Sequence, residues 1–392
     1  MRIHSISIKG FKICNEITFE PGRVNVFIGS NGSGKSTLLE AIGLISAAMT
    51  ERVNNDIMQR KGIRLSSNDL YQSRFKKIKS LPAIYFEIDL DDNEACPFKY
   101  TVGLNVSRDK DTWRYSNEHI NCGNHVWANC RSDKDYSEYE NIIGVLKQKN
   151  FKYIDKIVPS IREFADFSIY QPNTPAMRAT WIDPSLLEPV GLHGRRLAEA
   201  IEEILAEGSY ENFGPIPIDD VLRLIEWAEE IRIQAPTDTI INSAVPSSRR
   251  VIEFQDKYMQ ETRRFTAYDA SEGALYVLFL LVLAVHKDAP NIFAVDNFDQ
   301  AMNPLLSKAA TEMFCSLILN CKKTVFLTTH NPLALDGLDL QNDDIRLFVM
   351  GRNRDGSAAI ERITINQELI EKGQPLSRLW ANGWLGGIPN VF

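Results

Sequence analysis

The stretch that most constrains this chain runs from Gly29 to Ser36 and reads GSNGSGKS. It fits the pattern G-x-x-x-x-G-K-[ST], in which glycines let the backbone turn tightly and point its amides at phosphate groups. An apolar run at 23–28 predicts a strand directly before it, and good helix formers from Ser36 onward predict a helix directly after it. Strand, glycine-rich turn and helix together predict a phosphate loop that binds a nucleotide.

Two side chains of this loop have predicted roles of their own. Lys35 has the reach for the β- and γ-phosphates, and the Ser36 hydroxyl is a ligand for magnesium. ATP and Mg²⁺ are therefore the expected cofactors. The residues expected to contact the nucleotide here are Gly29, Ser30, Asn31, Gly32, Ser33, Gly34, Lys35, Ser36 and Thr37.

Two apolar strands in the second half of the chain end in polar residues that suit the same site. NIFAVD ends at Asp296, an acid expected to face the magnesium, and TVFLTTH ends at His330, a candidate sensor of the γ-phosphate. Ligands of open α/β sheets bind at the carboxyl ends of the strands. We therefore expect both residues beside the phosphate loop.

Composition sets broad limits on the class of protein. A net charge of −7 argues against a globally basic nucleic-acid coat, and 44% hydrophobic residues suffice for a sizeable core. No apolar run is long enough to cross a membrane, and the amino terminus lacks the pattern of a signal peptide. We expect a cytoplasmic protein with no membrane partner. The six cysteines lack framework spacing and are expected to be free thiols.

One cluster admits a second interpretation. Cys122 and Cys130, with His119 and His125 close by, have residue types that bind zinc. Paired C-x-x-C spacing is missing, which favours ordinary loop residues.

Hydrophobic periodicity predicts the order of the elements. Strands are expected at 2–9 and 15–20, and AIYFEIDL and KYTVGLNVS predict an antiparallel pair. GRRLAEAIEEILAEG and IDDVLRLIEWAEEIRI predict amphipathic helices, and further helices are expected at 271–286 and 304–320. The expected organisation is an N-terminal ATPase lobe at 1–135, a mainly helical insertion at 136–255 and a C-terminal ATPase lobe at 256–392.

The order phosphate loop, DASEGALYVLF, FAVDNFDQAMNP, FLTTHNP resembles the ATPase heads of the ABC superfamily, in particular the soluble RecF/SMC/OLD-like branch. The opening ISIKGFKICNEITFEPG is also similar to that branch. The resemblance implies an α/β fold, an ABC-type P-loop ATPase head with a mixed central sheet, an antiparallel β lobe and an inserted helical region. It covers both ends of the chain and leaves about 60–255 less well matched.

The resemblance also implies a homodimer or higher homo-oligomer that sandwiches ATP. Ser271 and Gly273 fall where a signature motif of one subunit caps the ATP of another, and a helix start suits a γ-phosphate. Lys12 falls where family members place a basic residue near the nucleotide. The motif reads ASEG rather than the leucine-serine-glycine-glycine of transporters, which argues against a transporter ATPase.

One position departs from the family pattern. Asn297 stands where the family has a glutamate that orients and polarises the attacking water. An amide can orient water but cannot take its proton. We expect slow hydrolysis, with Asp299 as the carboxylate that stands in if the loop brings it to the γ-phosphate. The alternative is an ATP-gated scaffold with little turnover.

The carboxyl-terminal part of the chain bears on partners. The OLD branch often carries a nuclease domain after the ATPase, but only about sixty residues follow His330, too few for such a domain. We therefore expect any nuclease to come from another chain. The tail LSRLWANGWLGGIPNVF is apolar and aromatic, and is expected to pack on the core or to dock a partner. The tail also resembles those of stand-alone ATPases of this branch that work beside a separate effector in bacterial genome defence, which implies a separately encoded nuclease or toxin in DNA-related or anti-phage defence.

The most basic window of the chain lies at 60–79. It holds seven basic residues against one acid, Asp69. It is either a solvated loop or a contact for nucleic-acid phosphates, as in a RecF-like DNA-repair clamp.

Overall fold

Two six-stranded sheets organise the computed structural model of this chain. The residues that it describes are 1–50, 52–91, 97–106, 113–122, 125–130, 158–181, 187–237, 240–242, 244–260, 263–364 and 373–387. The strands are β1 (Arg2–Phe11), β2 (Cys14–Phe19), β3 (Val24–Gly29), β4 (Ile84–Asp91), β5 (Phe98–Asn105), β6 (Arg114–Cys122), β7 (His125–Cys130), β8 (Ile169–Tyr170), β9 (Asn212–Phe213), β10 (Ile216–Pro217), β11 (Ala228–Gln234), β12 (Val251–Asp256), β13 (Arg264–Thr266), β14 (Ile292–Val295), β15 (Thr324–Thr328), β16 (Ile345–Arg352) and β17 (Ala358–Ile363). The α-helices of these ranges are α1 (Lys35–Thr50), α2 (Asn55–Arg60), α3 (Val158–Ala165), α4 (Thr174–Met177), α5 (Leu197–Glu207), α6 (Ile218–Leu224), α7 (Glu272–Val285), α8 (Pro304–Asn320) and α9 (Leu376–Ala381).

The central sheet has the order β17-β16-β3-β15-β14-β8. Strands β16, β3, β15, β14 and β8 are parallel, with β8 at one edge, and β17 pairs antiparallel at the other edge. The second sheet, β2-β1-β4-β5-β6-β7, is antiparallel throughout. The predicted mixed central sheet and antiparallel lobe are therefore confirmed.

Both faces of the central sheet are covered, which explains why its strands are apolar without alternation. Every residue of β3 is buried. Val26 faces a core shared with α5, α7 and α8, and Phe27 faces a second core shared with α1 and the antiparallel sheet. Helix α7 is buried on nearly all sides, so its sequence is hydrophobic all round. No helix within the described ranges is long and apolar enough to cross a membrane.

One predicted helix is wrong in its second half. In IDDVLRLIEWAEEIRI, α6 ends at Leu224, and Ala228–Gln234 is the strand β11. Ile231 and Ile233 lie opposite Phe254 and Ile252 of β12, so cross-strand packing of β-branched residues outweighs the helix propensity of the alanine and glutamates.

The interval expected as a helical insertion is interwoven with the core. It contains α3 to α6, but β8 belongs to the central sheet, where it pairs with β14. The boundary set at residue 136 lies outside the described residues. So do the side chains of Cys122, His125 and Cys130, on which the zinc interpretation depends. Within the described ranges, Cys14, Cys315 and Cys321 are free thiols, as expected.

Candidate nucleotide site

Parallel strands bring the predicted site residues to one edge of the central sheet. Strand β3 runs into the phosphate loop, β14 ends just before Asp296, and β15 ends two residues before His330. A cavity of about 910 Å³ opens at this edge. Its lining includes Lys12, Asn31, Gly32, Gly34, Lys35, Ser36, Thr37, Arg64, Arg74, Asn297, His330 and Arg352.

The phosphate loop is held from the side of β16. Gly29 has φ +145°, and a Cβ at this position would lie 2.1 Å from the carbonyl oxygen of Met350, so only glycine fits. Arg352 Nε donates to the carbonyl oxygen of Gly32 at 2.8 Å. The Ser33 hydroxyl is buried and has no hydrogen-bond partner in the protein, as expected of a group that meets a ligand.

Lys35 folds back onto its own loop. Its Nζ donates to the carbonyl oxygens of Gly29 at 2.8 Å and Ser30 at 3.1 Å. Burial lowers the pKa of this ammonium to about 8, against the opposing effect of Asp296. Nucleotide phosphates would offer it a stronger acceptor than these neutral carbonyls.

The two predicted magnesium ligands already touch. Ser36 Oγ donates to Asp296 Oδ2 at 2.8 Å, and Thr328 Oγ1 donates to Asp296 Oδ1. A hydroxyl and a carboxylate next to a phosphate loop form the oxygen donor set that Mg²⁺ prefers. These residues fit a magnesium–nucleotide complex.

Asn297 and His330 face the same cavity. The backbone amide of Asn297 donates to Thr328 Oγ1 at 2.8 Å, and Asn297 has φ +54°. Burial lowers the pKa of the His330 imidazole and Lys35 lowers it further, while Asp296 opposes both. The lowered pKa favours the neutral imidazole, which can donate one hydrogen bond and accept another.

Asp299 lies apart from the lining of this cavity. Its side chain is buried, and its oxygens accept from Ser307 Oγ at 2.9 Å and from Thr329 Oγ1 at 2.8 and 2.9 Å. Burial raises the pKa of its carboxyl, and the hydroxyl donors oppose that rise. The structure therefore shows Asp299 as a brace between α8 and the residue before His330, and its role toward the attacking water stays a prediction.

Ser271 and Gly273 also lie apart from the cavity that contains Lys35. Ser271 is exposed and precedes α7 without a side-chain cap bond. Gly273 is buried, and a Cβ there would lie 3.1 Å from Leu306. The start of α7 is thus open to a ligand brought by another molecule.

A buried carboxylate organises the cations at the cavity. Glu40 on α1 accepts from Lys12 Nζ at 2.7 Å and from Arg64 Nε at 2.5 Å. The Lys12 ammonium also lies 5.1 Å from the ring centre of Tyr71. Lys12 and Arg64 thus line the cavity, and the contact of Lys12 with a nucleotide stays a prediction. The sequence presents Arg64 only as one charge of the basic window. The position of Arg64 at the cavity depends on its ion pair with Glu40, and no sequence motif indicates that pair.

The basic window divides into buried and exposed residues. Lys61 Nζ is buried and donates to the carbonyl oxygens of Ala165 at 2.5 Å and Phe167 at 3.2 Å. Its burial lowers its pKa to about 8. Lys61 therefore binds backbone carbonyls inside the protein and does not face solvent, and Arg64 is paired with Glu40. The exposed remainder is Arg60, Arg74, Lys76, Lys77 and Lys79.

Gln171 was missed from the sequence. It follows β8, whose Tyr170 carbonyl accepts from the Asp296 amide at 2.9 Å, so Gln171 lies at the same sheet edge as Asp296. It lines a cavity of about 540 Å³ that adjoins the nucleotide cavity at Arg64 and Leu65. A strand of two residues carries too little pattern to be recognised in the sequence.

Two family models match separate parts of the chain. Residues 5–175 match one described as "AAA domain", and residues 204–336 match one described as "AAA domain, putative AbiEii toxin, Type IV TA system".

Two curated relatives are DNA replication and repair proteins RecF. The protein of Leifsonia xyli subsp. xyli is 39% identical over 69 residues, 17% of this chain and 18% of the relative. That of Renibacterium salmoninarum is 41% identical over 58 residues, 14% of each. The matches thus span less than a fifth of these relatives.

Solved structures resemble the whole fold. An SMC head bound to the C-winged helix domain of ScpA has a TM-score of 0.56 at 14% identity, covering 94% of this chain and 100% of that one. The SMC head domain from Thermotoga maritima has a TM-score of 0.51 at 14% identity, covering 93% and 100%. An SMC head from Pyrococcus furiosus, bound to the C-terminal domain of ScpA, has a TM-score of 0.51 at 13% identity, covering 95% and 97%. At these identities the likeness concerns the fold.

Proposed function

We propose that the chain is an ATPase of the RecF/SMC-like branch of the ABC superfamily, and that it binds ATP with Mg²⁺ and hydrolyses it slowly. The observation that carries the proposal is the contact of Ser36 with Asp296 beside Lys35. This arrangement would bring together a cation for phosphates and two oxygen donors for a metal, since Lys35 and Ser36 begin α1 and Asp296 follows β14.

Each side chain has a separate task in this proposal. Lys35 binds phosphate oxygens, and Ser36 and Asp296 hold the magnesium, which when bound offsets the charge that develops on the phosphates. The Asn297 amide orients the attacking water, and the neutral His330 meets the γ-phosphate. Since Asn297 cannot accept the proton, the reaction depends on positioning and electrostatics and is slow.

Steady-state phosphate release tests the enzymatic part. We expect the wild-type chain to release phosphate from Mg-ATP above background and Lys35→Ala to fall to background, because the variant loses its phosphate cation. Lys257→Ala, at an exposed lysine after β12 that does not line the cavity, is the control and should match the wild type. Equal background rates for the wild type and Lys35→Ala would overturn the proposal.

We propose further that ATP binding assembles two or more copies and that this assembly controls a separately encoded nuclease or toxin in DNA-related or anti-phage defence. The exposed start of α7 supports assembly, because another molecule's nucleotide can reach it. The family description at 204–336 supports the link to a toxin system. Co-expression with the product of a neighbouring gene tests it. We expect growth arrest to differ between the wild type and Lys35→Ala, and identical growth would contradict control by ATP.

A DNA-binding clamp is the second candidate. The exposed cations of the basic window and the names of the curated relatives favour it. Neutralising Lys76, Lys77 and Lys79 together should weaken duplex binding and flatten its dependence on salt, because fewer phosphate contacts release fewer counterions. Lys257→Ala, at an exposed lysine after β12, is the control. Unchanged binding by the triple variant would count against the clamp.

A further inference from the structure

The tail that the sequence singles out is wrapped onto the ATPase core. Residues 376–387, the strap, consist of α9 and the loop that follows it. Three glycines of this loop, Gly383, Gly386 and Gly387, have φ of +80°, +76° and +69°. Such angles are open to glycine at little cost, so the three glycines allow the tight turns that this loop makes.

One end of the strap is fixed beside the segment that follows His330. Asp336 accepts from the Ser377 amide at 2.9 Å and from Ser377 Oγ at 2.6 Å. Leu379, Trp380 and Leu385 are buried in the core that also contains α7 and α8. This docking fixes where the loop leaves the helix.

The other end of the strap lies against the phosphate loop. A Cβ built on Gly387 would lie 2.6 Å from Val349 Cγ1 and 3.2 Å from the Cα of Gly29. A Cβ on Gly386 would meet only Val349 Cγ1, at 3.8 Å. The chain therefore passes the first glycine of the phosphate loop so closely that a Cβ at 387 would press against Val349 and Gly29.

From this contact we infer that the strap positions the phosphate loop and that Gly387 is a positioning residue for nucleotide binding. Gly29 lies close to both Met350 and Gly387, and its carbonyl oxygen accepts from Lys35. A displacement of Gly29 would therefore also displace Lys35 and the rest of the phosphate loop, which we propose to bind phosphate. The strap thus couples nucleotide affinity to the docking of the tail. The inference rests on the proposed binding of ATP.

A matched pair of variants separates this role from general stability. Gly386→Ala and Gly387→Ala carry a similar backbone strain, but only Gly387→Ala pushes against Gly29. We expect the Kd for Mg-ATP to rise roughly tenfold in Gly387→Ala relative to Gly386→Ala. Val349→Ala, added to Gly387→Ala, removes the 2.6 Å contact and lets the new methyl group move away from Gly29, so it should restore part of the affinity.

The possible results are distinct. Equal Kd values for the two glycine variants, or a lower Tm of Gly387→Ala with an unchanged Kd, would overturn the inference. A wild-type chain that fails to bind ATP would overturn the proposed function, and this inference with it. If Gly387→Ala does not fold, deuterium uptake by 376–387 in the wild type decides. Slower uptake with Mg-ATP supports the strap, and equal uptake refutes it.

Discussion

At the scale of single residues, Asn297 combines a left-handed backbone conformation with a side chain that cannot accept a proton from water. Its φ of +54° lies in the left-handed region, which asparagine tolerates better than glutamate. Asn297→Glu should therefore lower stability by about 1 kcal/mol and still raise the rate of ATP hydrolysis, because a carboxylate can take the proton of water. Phosphate release and thermal unfolding measure the two effects. Asn297→Gln, with similar size and strain, is the control, and an equal rate in both variants would exclude a missing base as the cause of slow turnover.

Asp299 gives a prediction with a defined dependence on pH. Since burial raises its pKa above the ordinary 3.8, the folded state binds its proton more tightly than the unfolded state does. Its contribution to stability is thus fully present below pH 3.8 and is lost as pH rises through the folded value. Asp299→Asn, which cannot titrate, should lack this change. Unfolding of both proteins from pH 7 to pH 4 measures it, and parallel curves would contradict it.

The same residue distinguishes a brace from a reacting group. Asp299→Ala leaves the hydroxyls of Ser307 and Thr329 without their acceptor and should cost about 2 kcal/mol of stability. Asp299→Asn keeps an acceptor there, so we expect it to hydrolyse ATP at a rate near that of the wild type. Loss of hydrolysis in Asp299→Asn with intact ATP binding would instead support the chemical role predicted from the sequence.

Residues with a local motif were predictable, and those placed by tertiary contacts were not. The phosphate loop, Asp296 and His330 each follow an apolar strand, and parallel strands place their ends at one edge. Glu40 and Gln171 have no such marker. Glu40 lies in the interior of α1, and it matters to the site because it accepts from Lys12 and Arg64, which are 28 and 24 residues away along the chain. No local pattern records that kind of contact.

At the scale of elements, the length of a helix or strand decides how well the sequence predicts it. The long helices α1, α7 and α8 and the fully buried strands β3, β14 and β15 were predicted close to their observed bounds. Strand β11 was taken for helix because its alanine and glutamates favour helix, while its partner β12 lies seventeen residues further on. Pairing across such a separation is invisible to local periodicity.

The docking of α9 gives a prediction at this scale. Asp336→Ala removes the acceptor of the Ser377 amide and hydroxyl and should destabilise the docked helix by about 1 kcal/mol. Deuterium uptake by 376–381 should therefore become faster. Asp339→Ala is the matched control, because its side chain accepts from Gln341 in a local turn. Equal uptake in both variants would show that apolar burial alone holds α9.

At the scale of the whole molecule, Ser271 does not line the cavity of its own chain, and the proposed assembly has it complete the site of a second copy. Mg-ATP should therefore drive dimer formation, which sedimentation velocity detects. Ser271→Arg should remain monomeric, since a large cation at the exposed start of α7 blocks the approach of a second copy. Its Kd for ATP as a monomer should equal that of the wild type, because Ser271 does not line the cavity around Lys35.

Tyr258→Arg is the control for this experiment, because it adds the same charge at a residue that is 81% exposed after β12. It should dimerise like the wild type. Dimerisation of Ser271→Arg at wild-type concentrations would show that copies assemble through another surface. A loss of ATP affinity by monomeric Ser271→Arg would show that the start of α7 contacts the nucleotide within one chain. Either result would remove the ATP-sandwiched dimer as the means by which nucleotide state reaches a partner.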